Sequence, residues 1–152
     1  MSNLVIRKAL SSDLTALIDV ENTCFNNDKL SPRSLKRWLS AKHGILLVAD
    51  NGEQVCGYGL VWCHKGTRLA RLYSLAVLPT VQGKGIAKML LAELEKQTSE
   101  RGRLYLRLEV AVNNESAIGL YKSLGYRVFG QYSDYYDDHS DAPRLAHFNP
   151  RF

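Results

Sequence analysis

Gln82-Gly83-Lys84-Gly85 stands where an apolar run ending at Pro79 gives way to an amphipathic stretch beginning at Gly85. Backbone N–H groups at a helix start, together with the positive end of the helix dipole, attract anions, and glycines let phosphate oxygens approach that backbone closely. Here Gly83 and Gly85 give access and Lys84 adds charge. The spacing excludes two phosphate loops: "QGKGIA" lacks the Gly-x-x-x-x-Gly-Lys-Ser/Thr of nucleotide triphosphate sites, and it lacks the Gly-x-Gly-x-x-Gly with a downstream acid of dinucleotide folds. A plain strand-to-helix turn is the alternative that this stretch alone leaves open.

Two other side chains suit proton transfer. Glu109 lies on the polar alternation of "RLYLRLEVAV", and Tyr121 follows in "ESAIGLYKSL". A carboxylate accepts protons and a phenol donates them. Each has a plainer reading, as a strand carboxylate paired with Arg107 or a lysine, and as a core tyrosine. The histidines, His43, His64, His139 and His147, show no paired metal spacing and read as surface or core residues, so no metal is expected. Cys24, Cys56 and Cys63 read as packing.

The elements that must hold these residues follow from periodicity. "LVIRKA" reads as a strand, and "SSDLTALIDVENTCF" as a helix with Ser and Asp as cap candidates. "SPRSLKRWLSAK" reads as a short helix with Pro32 in its first turn. "GILLVAD" and "QVCGYGLVWCH" form a hairpin around Asp50-Asn51-Gly52, continued by "RLARLYSLAVL". A helix runs from about Gly85 to Arg101, with Ile86, Leu90, Leu91 and Leu94 on one face. "RLYLRLEVAV" is a strand, "ESAIGLYKSL" a short helix stopped by Gly125, and "YRVFGQYSDYY" and "APRLAHF" are the last strands. The sum is a mixed α/β (α+β) fold with one largely antiparallel sheet flanked by helices.

Gln82-x-x-Gly85-x-Ala87 after "LAV", followed by "LEV", Asn114 and "AIGLYKSLGY", resembles the GNAT superfamily of acetyl-CoA-dependent N-acetyltransferases. The resemblance runs from about residue 4 to residue 148. Within the superfamily it is closest to the RimI-type enzymes that acetylate protein N-terminal α-amines, on Glu109, Asn114, Tyr121 and "DYYDDHSDA". It implies that the backbone from Gln82 through Gly83, Lys84, Gly85 and Ile86 to Ala87, with Lys88 nearby, holds the pyrophosphate of CoA. It also implies that Leu75, Ala76, Val77 and Asn114 bond the pantetheine arm, that Glu109 is the base, and that Tyr121 lies at the CoA sulfur as proton donor. The family often has Arg where this chain has Gly83, a phosphate contact that Lys84 partly replaces.

At 152 residues the chain fits a single domain spanning 1–152, and 45% apolar and 23% charged residues mark it as globular. No segment resembles a membrane span or a secretion signal, so a cytoplasmic protein with no membrane partner is expected. The net charge of +5 comes from basic residues interleaved with acids, and no zinc-finger or RNA-binding signature accompanies it. No nucleic-acid partner is expected, and the oligomeric state is a monomer or a homodimer.

Acetyl transfer needs a neutral amine. Near pH ~7.4 an α-amine of pKa about 7.7–8.0 is neutral roughly a quarter of the time, and a lysine only about once in a thousand. No Ser or Cys stands in a nucleophile motif, which favours direct attack in a ternary complex. Tyr132, Tyr135 and Tyr136 beside Asp134, Asp137 and Asp138 offer aromatic walls and acidic groups to a protonated peptide N-terminus. With the resemblance to α-amine-acetylating enzymes, this implies a protein or peptide α-amine as the expected acceptor. A small-molecule amine, a lysine, or a CoA-binding module without turnover are the alternatives.

Overall fold

The computed structural model describes residues 3–25, 29–110, 115–132 and 142–148. Seven strands form one sheet: β1 (Val5–Lys8), β2 (Gly44–Asp50), β3 (Val55–Cys63), β4 (Leu69–Val77), β5 (Tyr105–Glu109), β6 (Arg127–Tyr132) and β7 (Ala142–Phe148). The spatial order is β1-β2-β3-β4-β5-β7-β6. Every neighbouring pair is antiparallel except β4 and β5, which are parallel. Among the described residues four α-helices accompany it: α1 (Leu14–Cys24), α2 (Pro32–Trp38), α3 (Ile86–Glu100) and α4 (Glu115–Ser123). This is the expected mixed architecture, and the parallel pair follows from α3 crossing between two strands of one sheet.

Local chemistry explains the boundaries. The β2–β3 turn is closed by Asn51, whose Oδ1 accepts the N–H groups of Glu53 and Gln54 at 2.9 Å, while Gly52 takes φ +93°. Ser31 caps α2, its Oγ accepting from Ser34 N–H at 3.0 Å with Pro32 next in line. The predicted first helix enters through a 3-10 turn at Ser11–Asp13, where Asp13 accepts the Leu10 N–H at 2.7 Å and a two-pronged bond from Arg7.

Two apolar clusters sandwich the sheet. On one face α3 buries Ile86, Leu90, Leu91 and Leu94 against Leu47, Val61, Leu72, Leu106 and Leu108. On the other, Leu17, Val20 and Leu35 of α1 and α2 meet Leu46, Val48, Tyr58, Leu60 and Ala76. Each fully buried leucine contributes about 1.5–3 kcal/mol. Gly59 lets α3 lie close, since a Cβ there would fall 2.5 Å from Leu94 Cδ1. This packing fixes the start of α3 at the end of β4.

Candidate functional site

β4 divides into two halves. Leu69, Ala70 and Arg71 pair with Tyr105, Leu106 and Arg107 of β5, and from Leu72 to Val77 no β5 partner remains. The split coincides with a bulge. Pairing with β3 steps from Val61↔Leu72 to Leu60↔Ser74, leaving Tyr73 as the extra residue that bends the strand.

The bond from Leu78 N–H to Cys56 O (2.9 Å) sets the alternation beyond the bulge. Ala76 and Ser74 then exchange bonds with Tyr58 and Leu60, while Leu75 and Val77 turn their backbone groups away from β3, into the gap. The Val77 carbonyl is already taken by Gln82 Nε2 at 3.1 Å and the Cys24 thiol at 3.4 Å. The Leu75 N–H and C=O and the Val77 N–H form a short internal sheet edge, which an extended amide chain can pair with. Of the three residues read together from the sequence, Ala76 differs: its backbone faces β3 and its side chain is buried on the α1 side.

At the end of this edge α3 begins. Gly83 and Gly85 have φ +82° and +77°, and a Cβ on either would meet nothing within 4 Å. Their backbone conformation requires glycine, and the space above them is open. No side chain caps α3, and its first intrahelical bond from Met89 N–H reaches Gly85 O at 3.1 Å. The N–H groups of Ile86, Ala87 and Lys88 therefore lack intrahelical acceptors. Gln82, Lys84 and Lys88 are exposed around them, whereas the Ile86 side chain is buried and leaves only its backbone to a ligand.

Strand alternation directs Leu106 and Leu108 to the α3 face and Arg107 and Glu109 to the α1 face. The Glu109 side chain is only 6% exposed, and it has a partner other than the Arg107 or lysine of the plainer reading. Arg71 Nε donates to Glu109 Oε2 at 2.9 Å across the paired half of β4. Arg71 in turn stacks 4.7 Å over the ring of bulged Tyr73, which lies 5.3 Å from Trp38 of α2. Tyr121 is buried on the α3 face in the cluster with Leu108 and Val110, its ring 5.6 Å from Tyr126. Burial pushes its phenol up to about 12, so it keeps its proton at neutral pH. Glu109 and Tyr121 thus lie on opposite faces of the sheet.

Sequence reading missed Arg71, because an arginine within an apolar strand carries no motif. It also missed Glu21, which is buried in α1. Tyr58 donates its hydroxyl to Glu21 and lies 2.8 Å from Ser74 Oγ, and the second Glu21 oxygen accepts Leu30 N–H at 2.7 Å. This network ties the segment entering α2 to β4 just past the bulge. Burial raises the thiols of Cys24, Cys56 and Cys63, which suits packing and disfavours a thiolate nucleophile. Asn114, Asp134, Tyr135, Tyr136, Asp137 and Asp138 lie outside the described residues, and Tyr132 ends β6. Among the described residues no helix is long and apolar enough to cross a membrane.

Residues 13–126 match the model of the acetyltransferase (GNAT) family. The chain is 40% identical over 80 residues to the [ribosomal protein bS18]-alanine N-acetyltransferase of Salmonella typhimurium, a match spanning 51% of this chain and 54% of that enzyme. It spans about half the length of that relative. In fold it is similar to the ribosomal-protein-S18-alanine N-acetyltransferase of Escherichia coli, with a TM-score of 0.87, 24% identity and 96% and 94% of the two chains covered. It is also similar to yncA of Salmonella typhimurium, solved with its cofactor acetyl-CoA, with a TM-score of 0.83, 21% identity and 96% and 94% covered.

Proposed function

The chain belongs to the acetyltransferase (GNAT) family, and we propose that it is an acetyl-CoA-dependent N-acetyltransferase whose acceptor is the α-amine of a protein or peptide, attacked directly with both substrates bound. One observation carries this reading: β4 parts from β5 past Arg71, whose guanidinium holds Glu109 of β5 on the α1 face, while Tyr121 is buried on the α3 face. The names of the Salmonella and Escherichia relatives, both N-acetyltransferases of a ribosomal-protein alanine, point the same way.

The residues fit acetyl-CoA, which supplies the activated acetyl thioester. The open α3 start, with its N–H groups, Gln82, Gly83, Lys84, Gly85, Ala87 and Lys88, suits a pyrophosphate. Leu75 and Val77 offer an edge to the amides of the pantetheine arm, and Asn114 remains a proposed partner of that arm. On the α1 face, Glu109, fixed by Arg71, takes the proton released from the attacking amine, directly or through water. On the α3 face, the protonated Tyr121 donates to the leaving sulfur. An α-amine is neutral often enough at physiological pH that one clamped carboxylate suffices. The same reading puts the reaction in the cytoplasm.

The experiment is CoA release from acetyl-CoA with a peptide carrying a free N-terminal alanine. Steady turnover is expected. Tight CoA binding without turnover on any amine would make the chain a binding module instead.

A further inference from the structure

A cavity of about 290 Å³ opens where α2 and α3 end and β2 begins. Arg101, which closes α3, lines it, so it lies about 22 Å along that helix from the phosphate loop at 1.5 Å per residue. Three cations line the cavity: Lys8 from the end of β1, Lys42 from the loop after α2, and Arg101. No acidic side chain does. All three are exposed, so a dissolved ligand reaches them, and among the described residues none of them forms an ion pair.

Cations near helix C-termini often serve the last carbonyls. Here the backbone already does so. Ser40 and Ala41 N–H groups donate to Arg37 O and Trp38 O at 3.3 Å, and Gly102 and Arg103 N–H groups to Ser99 O and Thr98 O at 2.9 and 3.1 Å. Arg101 Nη1 reaches across instead to Lys42 O at 3.2 Å, which fastens the guanidinium to the rim. Three like charges around one opening repel one another, and an anion between them relieves that cost. The remainder of the lining is largely apolar, with Trp38, Ile45 and Leu47. Gly44 admits the indole against the β2 backbone, since a Cβ there would fall 2.8 Å from Trp38 Cε3.

We propose that this cavity binds a small phosphate monoester carrying a flat organic group, at a site separate from that of the acyl donor and independent of the acetyl-transfer reading. Three cations match a doubly charged phosphate better than a single carboxylate charge, and Arg101 with two ammonium groups shares out its oxygens in charge-assisted bonds. The flat group lies in the apolar part beside Trp38. The volume stands at the small end of ligand pockets, which run about 300–1,000 Å³, so one ring with one phosphate suits it.

The probe is phenyl phosphate, titrated by calorimetry into protein saturated with CoA so that the phosphate loop is filled. One equivalent should bind with Kd below about 1 mM. Emission from Trp38 and Trp62, the chain's two tryptophans, should change with the same midpoint. Benzoate and inorganic phosphate should each bind at least tenfold more weakly. Joint Lys8→Gln and Lys42→Gln substitution should weaken phenyl phosphate at least tenfold. The same loss of charge through Lys96→Gln and Lys122→Gln, at exposed positions on α3 and α4, should change its affinity less than twofold. Binding that vanishes when CoA is present, equal losses in the two double variants, or no binding would overturn the site. Benzoate or inorganic phosphate matching phenyl phosphate would overturn the ligand class.

Discussion

At the start of α3 the groups on offer are backbone N–H groups, exposed by two left-handed glycines over open space. At Glu109, on the far face of the sheet, the group on offer is a buried carboxylate held by the Arg71 guanidinium that strand register sets beside it. The first region recognises an anion through backbone shape, so most side-chain changes there have small effects. The second recognises its ligand through side chains, so single substitutions should change which acceptor reacts. One chain can therefore keep its acyl donor while its acceptor drifts.

Tyr121→Phe sharpens this contrast most strongly. It keeps the packing against Tyr126 but deletes the proton donor, and kcat is expected to fall roughly 10²-fold with little change in acetyl-CoA affinity. Full activity would return Tyr121 to a packing role alone. The same variant has a pH signature. Burial raises the folded pKa to about 12 from an unfolded value of about 10. The neutral phenol's contribution to stability is present below pH ~10 and is lost as pH rises toward 12, by on the order of 3 kcal/mol. Melting curves between pH 10 and 11.5 should fall less steeply for Tyr121→Phe than for the unaltered protein. Tyr58, also raised by burial, acts in both proteins and cancels, whereas Tyr126, raised by burial, by Glu95 and in smaller part by Tyr121, loses that last contribution in the variant, which flattens its curve further.

Substitution in the loop comes next. Gly85→Val places a branched side chain in the open space and forces φ +77° on a residue that disfavours it by about 1–2 kcal/mol. Acetyl-CoA affinity should fall at least tenfold in a calorimetric titration, with the melting temperature measured alongside to separate strain from lost binding. Unchanged affinity would remove the loop from the site. Lys84→Ala, an exposed charge at a helix start, should weaken affinity by less than about threefold at physiological salt. A larger loss would mean that side-chain charge, not backbone shape, dominates there.

The same contrast explains what could be read without coordinates. The phosphate loop lies in one contiguous run, Gln82 to Lys88, where glycine spacing and helix onset are local facts. Glu109 and Tyr121 emerged from alternation and resemblance, and the succession of strands and helices followed from periodicity and turn residues. Arg71 did not emerge, because its meaning depends on a parallel register between strands separated by α3. The bulge at Tyr73 was equally invisible, since nothing in "RLYSLAV" distinguishes an extra residue from a regular strand. The Glu21–Tyr58–Ser74 network joins three elements distant in sequence, and only packing brings them together.

The acceptor assignment is tested most directly by reacting a peptide that has both a free N-terminal alanine and an internal lysine with acetyl-CoA, and locating the acetyl group by fragment-ion mass spectrometry. Acetyl on the N-terminal fragment ions, with lysine modified at least tenfold more slowly, is the expected result. Modification confined to the lysine side chain, or no peptide product while small amines react, would contradict it.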